Sequence, residues 1–207
     1  MTSGIASSIC NTLEIPHIIT HWKPQSLGLR YQKNAMTLNV YPDTEVLSEA
    51  FSALIKDYDW KSYTIIYEND ESLIKLKDVL QLHSPDDHPI TVRQIPADPD
   101  LRPMLKEIRA SGETNIVLDV SSEKIVDLLR QAKEVKMMED YQSYIITSLD
   151  THVIDFEELK FTPANITSLR IMDPSSFDLK NAVHDWIQGE KKRDRLFQIS
   201  PEHVQVI

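Results

Sequence analysis

Three apolar runs in this sequence each end in a small cluster of polar side chains. Glu68 and Asn69 follow Ser62–Tyr67. Asp119, Ser121 and Ser122 close or follow Asn115–Val120. Ser148 and Asp150 close or follow Tyr144–Leu149. If the runs are parallel strands, these residues line the crevice outside their carboxyl ends, where open α/β sheets bind ligands. Carboxylates, an amide and hydroxyls gathered there could grip a small polar ligand. The same residue types cap the helix that follows each strand, and capping is the commoner use of Ser and Asp at such positions.

Other chemistry is thin. Four glycines in 207 residues leave no phosphate-cradling loop and no dinucleotide fingerprint. The nucleophile elbow G-x-S-x-G, the metalloprotease H-E-x-x-H and any paired-cysteine metal box are absent. Acidic residues at helix starts and on solvated faces account for the carboxylates, so no catalytic pair, cofactor or metal is expected. His17 and His21 lie four apart, a metal spacing only on a helix. Pro16 and the β-branched run around them read instead as a strand, Ile15–Thr20. Asn165-Ile166-Thr167 is an N-glycosylation acceptor triplet, a pattern that also arises by chance.

Composition narrows the partners. With 22 Lys plus Arg against 32 Asp plus Glu, the formal net charge is −10, which argues against a nucleic-acid or anionic-membrane surface. The run Lys191-Lys192-Arg193 reads as a solvated helix end. A single cysteine, Cys10, rules out an internal disulfide. It reads as a buried small hydrophobe on the inward face of a helix over Ser3–Leu13, with Ile5, Ile9 and Leu13. No apolar run is long enough to span a bilayer, and residues 1–20 lack a basic segment followed by an apolar one. Read literally, the chain is expected to be soluble and untargeted.

The stretch Met36–Asp70 positions the first polar cluster. Met36–Val40 suits a short strand, and Tyr41-Pro42-Asp43 breaks it because proline fixes φ and restricts the residue before it. Asp43 or Thr44 then caps a helix whose apolar stripe is Val46, Leu47, Ala50, Phe51, Leu54, Ile55 and Tyr58. Trp60 closes that helix, and Ser62–Tyr67 is the strand that delivers Glu68. The pattern then repeats. A helix over Ser72–Leu82 is followed by a turn at Pro85–Pro89 and a strand at Ile90–Ile95. Next come a helix at Leu101–Ala110 stopped by Gly112, a strand at Asn115–Val120, a helix from Ser121 or Ser122 to about Met138, and a strand at Tyr144–Leu149. Repeated strand–helix–strand units with apolar strands predict a parallel, doubly wound α/β sheet covered on both faces. Beyond it, Thr151–Pro163 is an acidic mixed segment, Asn165–Met172 is strand-like and Phe177–Gly189 is a helix. Pro201–Ile207 starts a strand without a partner.

The chain resembles the extracellular amino-terminal domain of ionotropic glutamate receptors, kainate type above all. The resemblance rests on SSICNTLEIPHIITHWKP (7–24), LNVYPD (38–43), DWKSYTIIYEND (59–70), VRQIPAD (92–98), LKEIR (105–109), MMEDYQSYIITSLD (137–150) and NITSLRIMD (165–173). These segments keep the family's order and spacing.

The resemblance implies a periplasmic-binding-protein-like clamshell of type I, similar to the leucine/isoleucine/valine-binding proteins. Residues 1–43 would be the tail of lobe 1 and the hinge, 44–165 lobe 2, and 166–207 a return towards lobe 1. One lobe would then be nearly complete and the other partial. The rest of lobe 1, a signal peptide, the glutamate-binding domain and the membrane channel would lie outside this chain, which is therefore expected to be a fragment. Cys10 matches a position that is normally a free cysteine. In kainate-type receptors this domain has no catalytic role and is not the agonist site. It drives dimerisation and subtype-selective assembly with other glutamate receptor subunits, in a glutamate-gated cation channel of the synaptic plasma membrane. The helices 44–58 and 72–82 are then the expected assembly surface. The competing expectation is an interlobe cleft in which Tyr41, Glu68, Asn69, Ser121 and Asp150 bind an amino-acid-like ligand. A third, a cytosolic doubly wound enzyme or regulator, draws only on the lone cysteine and the missing leader. Occupancy at Asn165 would argue against it.

Overall fold

The computed structural model describes residues 2–20, 22, 36–82, 90–196 and 198–204. The expected turn at 85–89, His21, His83 and most of the 22–34 loop lie outside the described residues.

Five strands form one parallel sheet: β3 (Thr64–Tyr67), β4 (Thr91–Gln94), β5 (Asn115–Asp119), β6 (Ser143–Ile146) and β7 (Asn165–Ser168). Their spatial order is β4-β3-β5-β6-β7. The chain moves outward from β3 to β4, then returns across β3 to β5, so the winding reverses between β3 and β5. Register is set residue for residue, with Ile65 opposite Val117 and Val117 opposite Ile145. Because strand side chains alternate, these three residues face one side of the sheet and Ile66, Leu118 and Ile146 face the other. The first set packs with Leu47, Phe51, Ile55, Leu76 and Val79. The second packs with Leu105, Ile108, Ile125, Leu128 and Leu129. Helices thus cover both faces, as a parallel sheet requires, and the architecture is the doubly wound α/β one. The sheet extends through β7 to Ser168.

On the first face lies α2 (Thr44–Asp57). Asp43 caps it, its carboxylate accepting from the Glu45 amide at 2.8 Å. Asp43→Ala is expected to cost about 1 kcal/mol, read as a lower urea midpoint at unchanged slope, and Asp43→Asn should restore most of it. The buried stripe of α2 is rotated from the one expected. Leu47, Phe51 and Ile55 are inside with Thr44, Ser48 and Ser52, whereas Val46 and Tyr58 are exposed. Small hydroxyl residues let the next helix approach closely, and one of them finds a partner there.

That partner explains a second departure. The expected helix over 72–82 is two short ones, α3 (Glu71–Lys75) and α4 (Lys77–Leu80). They are broken at Leu76, whose φ of −101° and ψ of 21° leave the helical region. The break drives Leu76 into full burial, and the Asp78 amide donates to the Ser48 hydroxyl at 2.9 Å. A tertiary hydrogen bond satisfies the amide that a continuous helix would have paired internally.

On the second face, α5 (Arg102–Ala110) has its proline in the first turn. Gly112 follows it at φ +80°, a left-handed position that glycine adopts at little cost. The next helix, α6 (Ser122–Glu134), ends before the expected Met138, because Lys136 turns to φ 59° and folds Met137 and Met138 into the core.

The remaining elements are α1 (Thr2–Thr12), β1 (His17–Ile19), β2 (Thr37–Asn39) and α7 (Phe177–Lys191). The first two strands form a separate parallel pair, and Ser7 of α1 contacts Thr37 at 3.2 Å. Here the expected inward face of α1 is corrected. Ile5, Ile9 and Leu13 are exposed and Cys10 is only half-buried, since the helix meets β2 through its small residues instead. Of the expected strand start at 201–207, residues 201–203 form a 3-10 turn, and 205–207 lie outside the described residues. Among the described residues, no helix is long and apolar enough to cross a membrane.

Candidate functional site

The reversal between β3 and β5 opens a cleft of about 220 Å³ at the carboxyl ends of these strands, lined by Trp22, Glu68, Asn69, Ser72, Lys75, Asp119 and Ser121 among others. This is where a doubly wound sheet places its crevice. The volume is below the roughly 300 Å³ at which small-molecule sites begin.

Glu68 leaves β3 in line with β5, its amide donating to the Asp119 carbonyl at 3.1 Å. Its carboxylate then bridges to the start of α6. One oxygen accepts from the Ser121 amide at 2.8 Å and the other from Lys124 Nζ at 2.7 Å. The Lys124 hydrogen bond is the largest influence on Glu68 and, with the Ser121 contacts, outweighs a modest burial to hold its carboxyl below the usual range. Ser121 occupies the N-cap position of α6 without a side-chain capping bond, so Glu68 satisfies from outside the amide that starts the helix. Asn69 is exposed, and its carbonyl accepts from the Ser72 amide at 2.9 Å to begin α3.

Deeper in, Lys75 Nζ donates to Asp119 Oδ1 at 2.7 Å and approaches the Thr147 hydroxyl at 3.4 Å, and that hydroxyl also donates to Asp119. Lys75 and Asp119 side chains are 13% and 9% exposed. Burial pushes the Asp119 carboxyl up. The Lys75 ammonium beside it, with hydrogen bonds from Lys75, Ser72 and Thr147, more than offsets this and leaves the carboxyl below its ordinary range. The pair joins α3, β5 and the end of β6. Asp119 stood out in the sequence, but Lys75 did not. It lies 44 positions away, inside an amphipathic helix where a lysine reads as solvated.

Of the five residues expected to share a cleft, Glu68, Asn69 and Ser121 are among its lining and Tyr41 and Asp150 are not. Those two lie close to each other elsewhere on the sheet's carboxyl end. Burial raises the Tyr41 hydroxyl, and the nearby carboxylates of Asp150 and Asp119 raise it further. Tyr41 packs at the margin of the core beneath α2. No group of three or more His, Cys, Asp or Glu side chains suited to a metal occurs among the described residues. Asn165 is exposed at the first position of β7.

Residues 1–204 match the family model described as receptor family ligand binding region. Among curated proteins, the human glutamate receptor ionotropic, kainate 1 (Homo sapiens) is 33% identical over 180 residues, covering 86% of this chain and 19% of that protein. The protein of the same name from Rattus norvegicus is 34% identical over the same span and share. That from Mus musculus is 33% identical, with 21% of its length covered. The chain therefore spans about a fifth of the length of these relatives.

Proposed function

Since this chain belongs to the family of receptor ligand binding regions, we propose that it is a non-catalytic part of the extracellular amino-terminal domain of a kainate-type glutamate receptor subunit, where it serves subunit assembly. The similarity to kainate 1 receptors supports the receptor type. In this reading residues 44–165 are one lobe, 1–43 the tail of the other lobe and the hinge, and 166–207 the return segment, with β7 at the boundary. Its partners are other glutamate receptor subunits, and the whole protein is a glutamate-gated cation channel.

The observation that carries the assembly reading is the contrast between two surfaces. In the cleft the charged groups Glu68, Lys75 and Asp119 are already paired, although the buried Trp22 Nε1 donor there has no hydrogen-bond partner among the described residues. Glu68 holds the Ser121 amide and Lys124, and Lys75 holds Asp119, so an amino-acid carboxylate or ammonium would have to displace an existing ion pair. On α2 and α3, which pack together, Val46 and Ile74 are 61% and 42% exposed. Apolar side chains on neighbouring rigid helices are what an interface core needs.

Light scattering of the secreted chain at rising concentration tests this. A dimer is expected, weakened about tenfold or more by Val46→Glu, because the new carboxylate would have to be desolvated in the contact. A monomer at every concentration would sink the assembly reading. Heat released on titrating glutamate or leucine would instead favour the cleft with Glu68, Asn69 and Ser121 as a ligand site.

A further inference from the structure

We propose that an N-linked glycan on Asn165 lies against the Tyr58 ring, making Tyr58, with Trp60 behind it, a carbohydrate-stacking site at the open edge of the five-stranded sheet. This rests on the extracellular reading above, because the modification needs the secretory route.

The geometry comes from β7. It is an edge strand, paired to β6 alone among the described residues. Asn165 opens it, and Thr167, the hydroxyl residue of the acceptor triplet, shares its face because strand side chains alternate. That face is the one α2 covers. Thr167 lies opposite Ile145, which packs beneath α2 with Phe51 and Ile55. Tyr58 at the end of α2 reaches over it, its hydroxyl 3.2 Å from the Thr167 hydroxyl. Two residues of strand advance about 7 Å, so a sugar on Asn165 starts roughly one ring width from Tyr58.

Tyr58 is also an aromatic surface without a core role. It is 43% exposed, although it ends the apolar stripe that the sequence suggests. Its ring centroid is 6.0 Å from Trp60, which is 6.5 Å from the buried Tyr63. Three rings thus step from the core outward and stop at Tyr58. The ring contact with Trp60 places the last ring beside β7, where its hydroxyl also meets Thr167. Aromatic faces carry negative charge density, and the axial C–H bonds of a pyranose, polarised by the ring oxygens, present the complementary charge while the hydroxyls stay in water. N-acetylglucosamine, the first sugar of such a glycan, adds an apolar acetyl methyl.

The contact has a purpose in the fold. An exposed edge strand offers unpaired N–H and C=O groups to any passing strand, and a glycan held across this corner would shield β7. It would also close the carboxyl end of α2 to partners while leaving Val46, three turns away, open.

The 207-residue chain is secreted from glycosylating cells beside Asn165→Gln, Tyr58→Leu and Tyr58→Phe. Leucine keeps the apolar bulk at a half-exposed helix end, and phenylalanine keeps the ring without the hydroxyl. Intact mass reads occupancy, and N165Q should lose the glycan. Native release by an N-glycosidase should be slow for the unmodified chain and for Y58F. For Y58L it should be about threefold to tenfold faster, if the sugar–ring contact is comparable with an aromatic pair. Removing the glycan should lower the thermal midpoint of the unmodified chain but not of Y58L. Occupancy with equal release rates in all three would overturn the stacking and leave the receptor reading untouched. A folded, secreted chain with no glycan on Asn165 would overturn the proposal as a whole. The assembly reading is judged separately, by the light-scattering result.

Discussion

Lys75→Met is expected to destabilise the fold by about 3 kcal/mol at neutral pH and to reverse its response to acid. Lys75 and Asp119 form a 2.7 Å ion pair between side chains 13% and 9% exposed. Removing one member of a buried pair leaves an uncompensated charge and costs about 3–5 kcal/mol. The lower end applies because Asp119 keeps the hydrogen bond from Thr147 and can take up a proton. The pH dependence separates this from a simple packing loss. In the folded chain burial pushes Asp119 up, but Lys75 and its hydrogen-bonding neighbours bring it net below the ordinary value. Such a group stabilises fully above the unfolded value of about 3.9, and the contribution disappears as pH falls through the lower folded value. Without the ammonium, burial dominates and the folded carboxyl rises above the unfolded one. Its contribution is then present at low pH and lost as pH increases. Urea unfolding at pH 7 and near pH 4 should therefore show a wide gap between the two proteins that narrows on acidification. A gap that stays constant would mean the ion pair does not carry the effect.

Phe51→Ala should cost about 3–5 kcal/mol, a large part of the roughly 5–15 kcal/mol that holds a domain together, while Val46→Ala should stay within about 0.5 kcal/mol. The two residues belong to the same apolar stripe in the sequence. In the structure Phe51 is wholly buried against Ile65, Val117 and Ile145, and Val46 is 61% exposed. Alanine at 51 leaves a cavity in the middle of the sheet–helix layer, where β3, β5 and β6 cannot move inward without breaking their ladders. Alanine at 46 removes a side chain already in water. A thermal scan of the two variants reads the difference directly. Equal midpoints would contradict the orientation of α2. If Val46→Ala proves neutral for stability yet weakens dimerisation, the outward face of α2 has a role that folding does not require.

Local chemistry made much of the fold legible. Apolar β-branched runs at Thr64–Tyr67 and Asn115–Asp119 fit strands buried on both faces, and Asp43 and Gly112 marked a helix start and a helix stop. Each signal depends on a few consecutive residues, so the sequence carries it without help. Strand–helix alternation then limited the topology to a parallel sheet, because parallel neighbours need crossovers.

What consecutive residues could not carry was decided by elements far apart in the chain. The break at Leu76 depends on Ser48, 30 positions before the amide that it accepts from. The rotation of α2 goes with the same contact, since turning Ser48 inward to meet the Asp78 amide of α4 leaves Val46 outward. Glu68 looked like a free crevice carboxylate, yet it is held by an amide and an ammonium more than 50 residues on. Tyr41 and Asp150 looked like members of the same cleft but are not in its lining, although Tyr41 lies within the influence of both Asp150 and Asp119. Residue order was enough for most element types, for the parallel α/β class and for the resemblance to the family. Which polar groups are already paired, and which apolar ones face water, came only with the packed fold. Pairing depends on distances across the sheet, and residue order along the chain does not encode those distances until the strands are laid side by side.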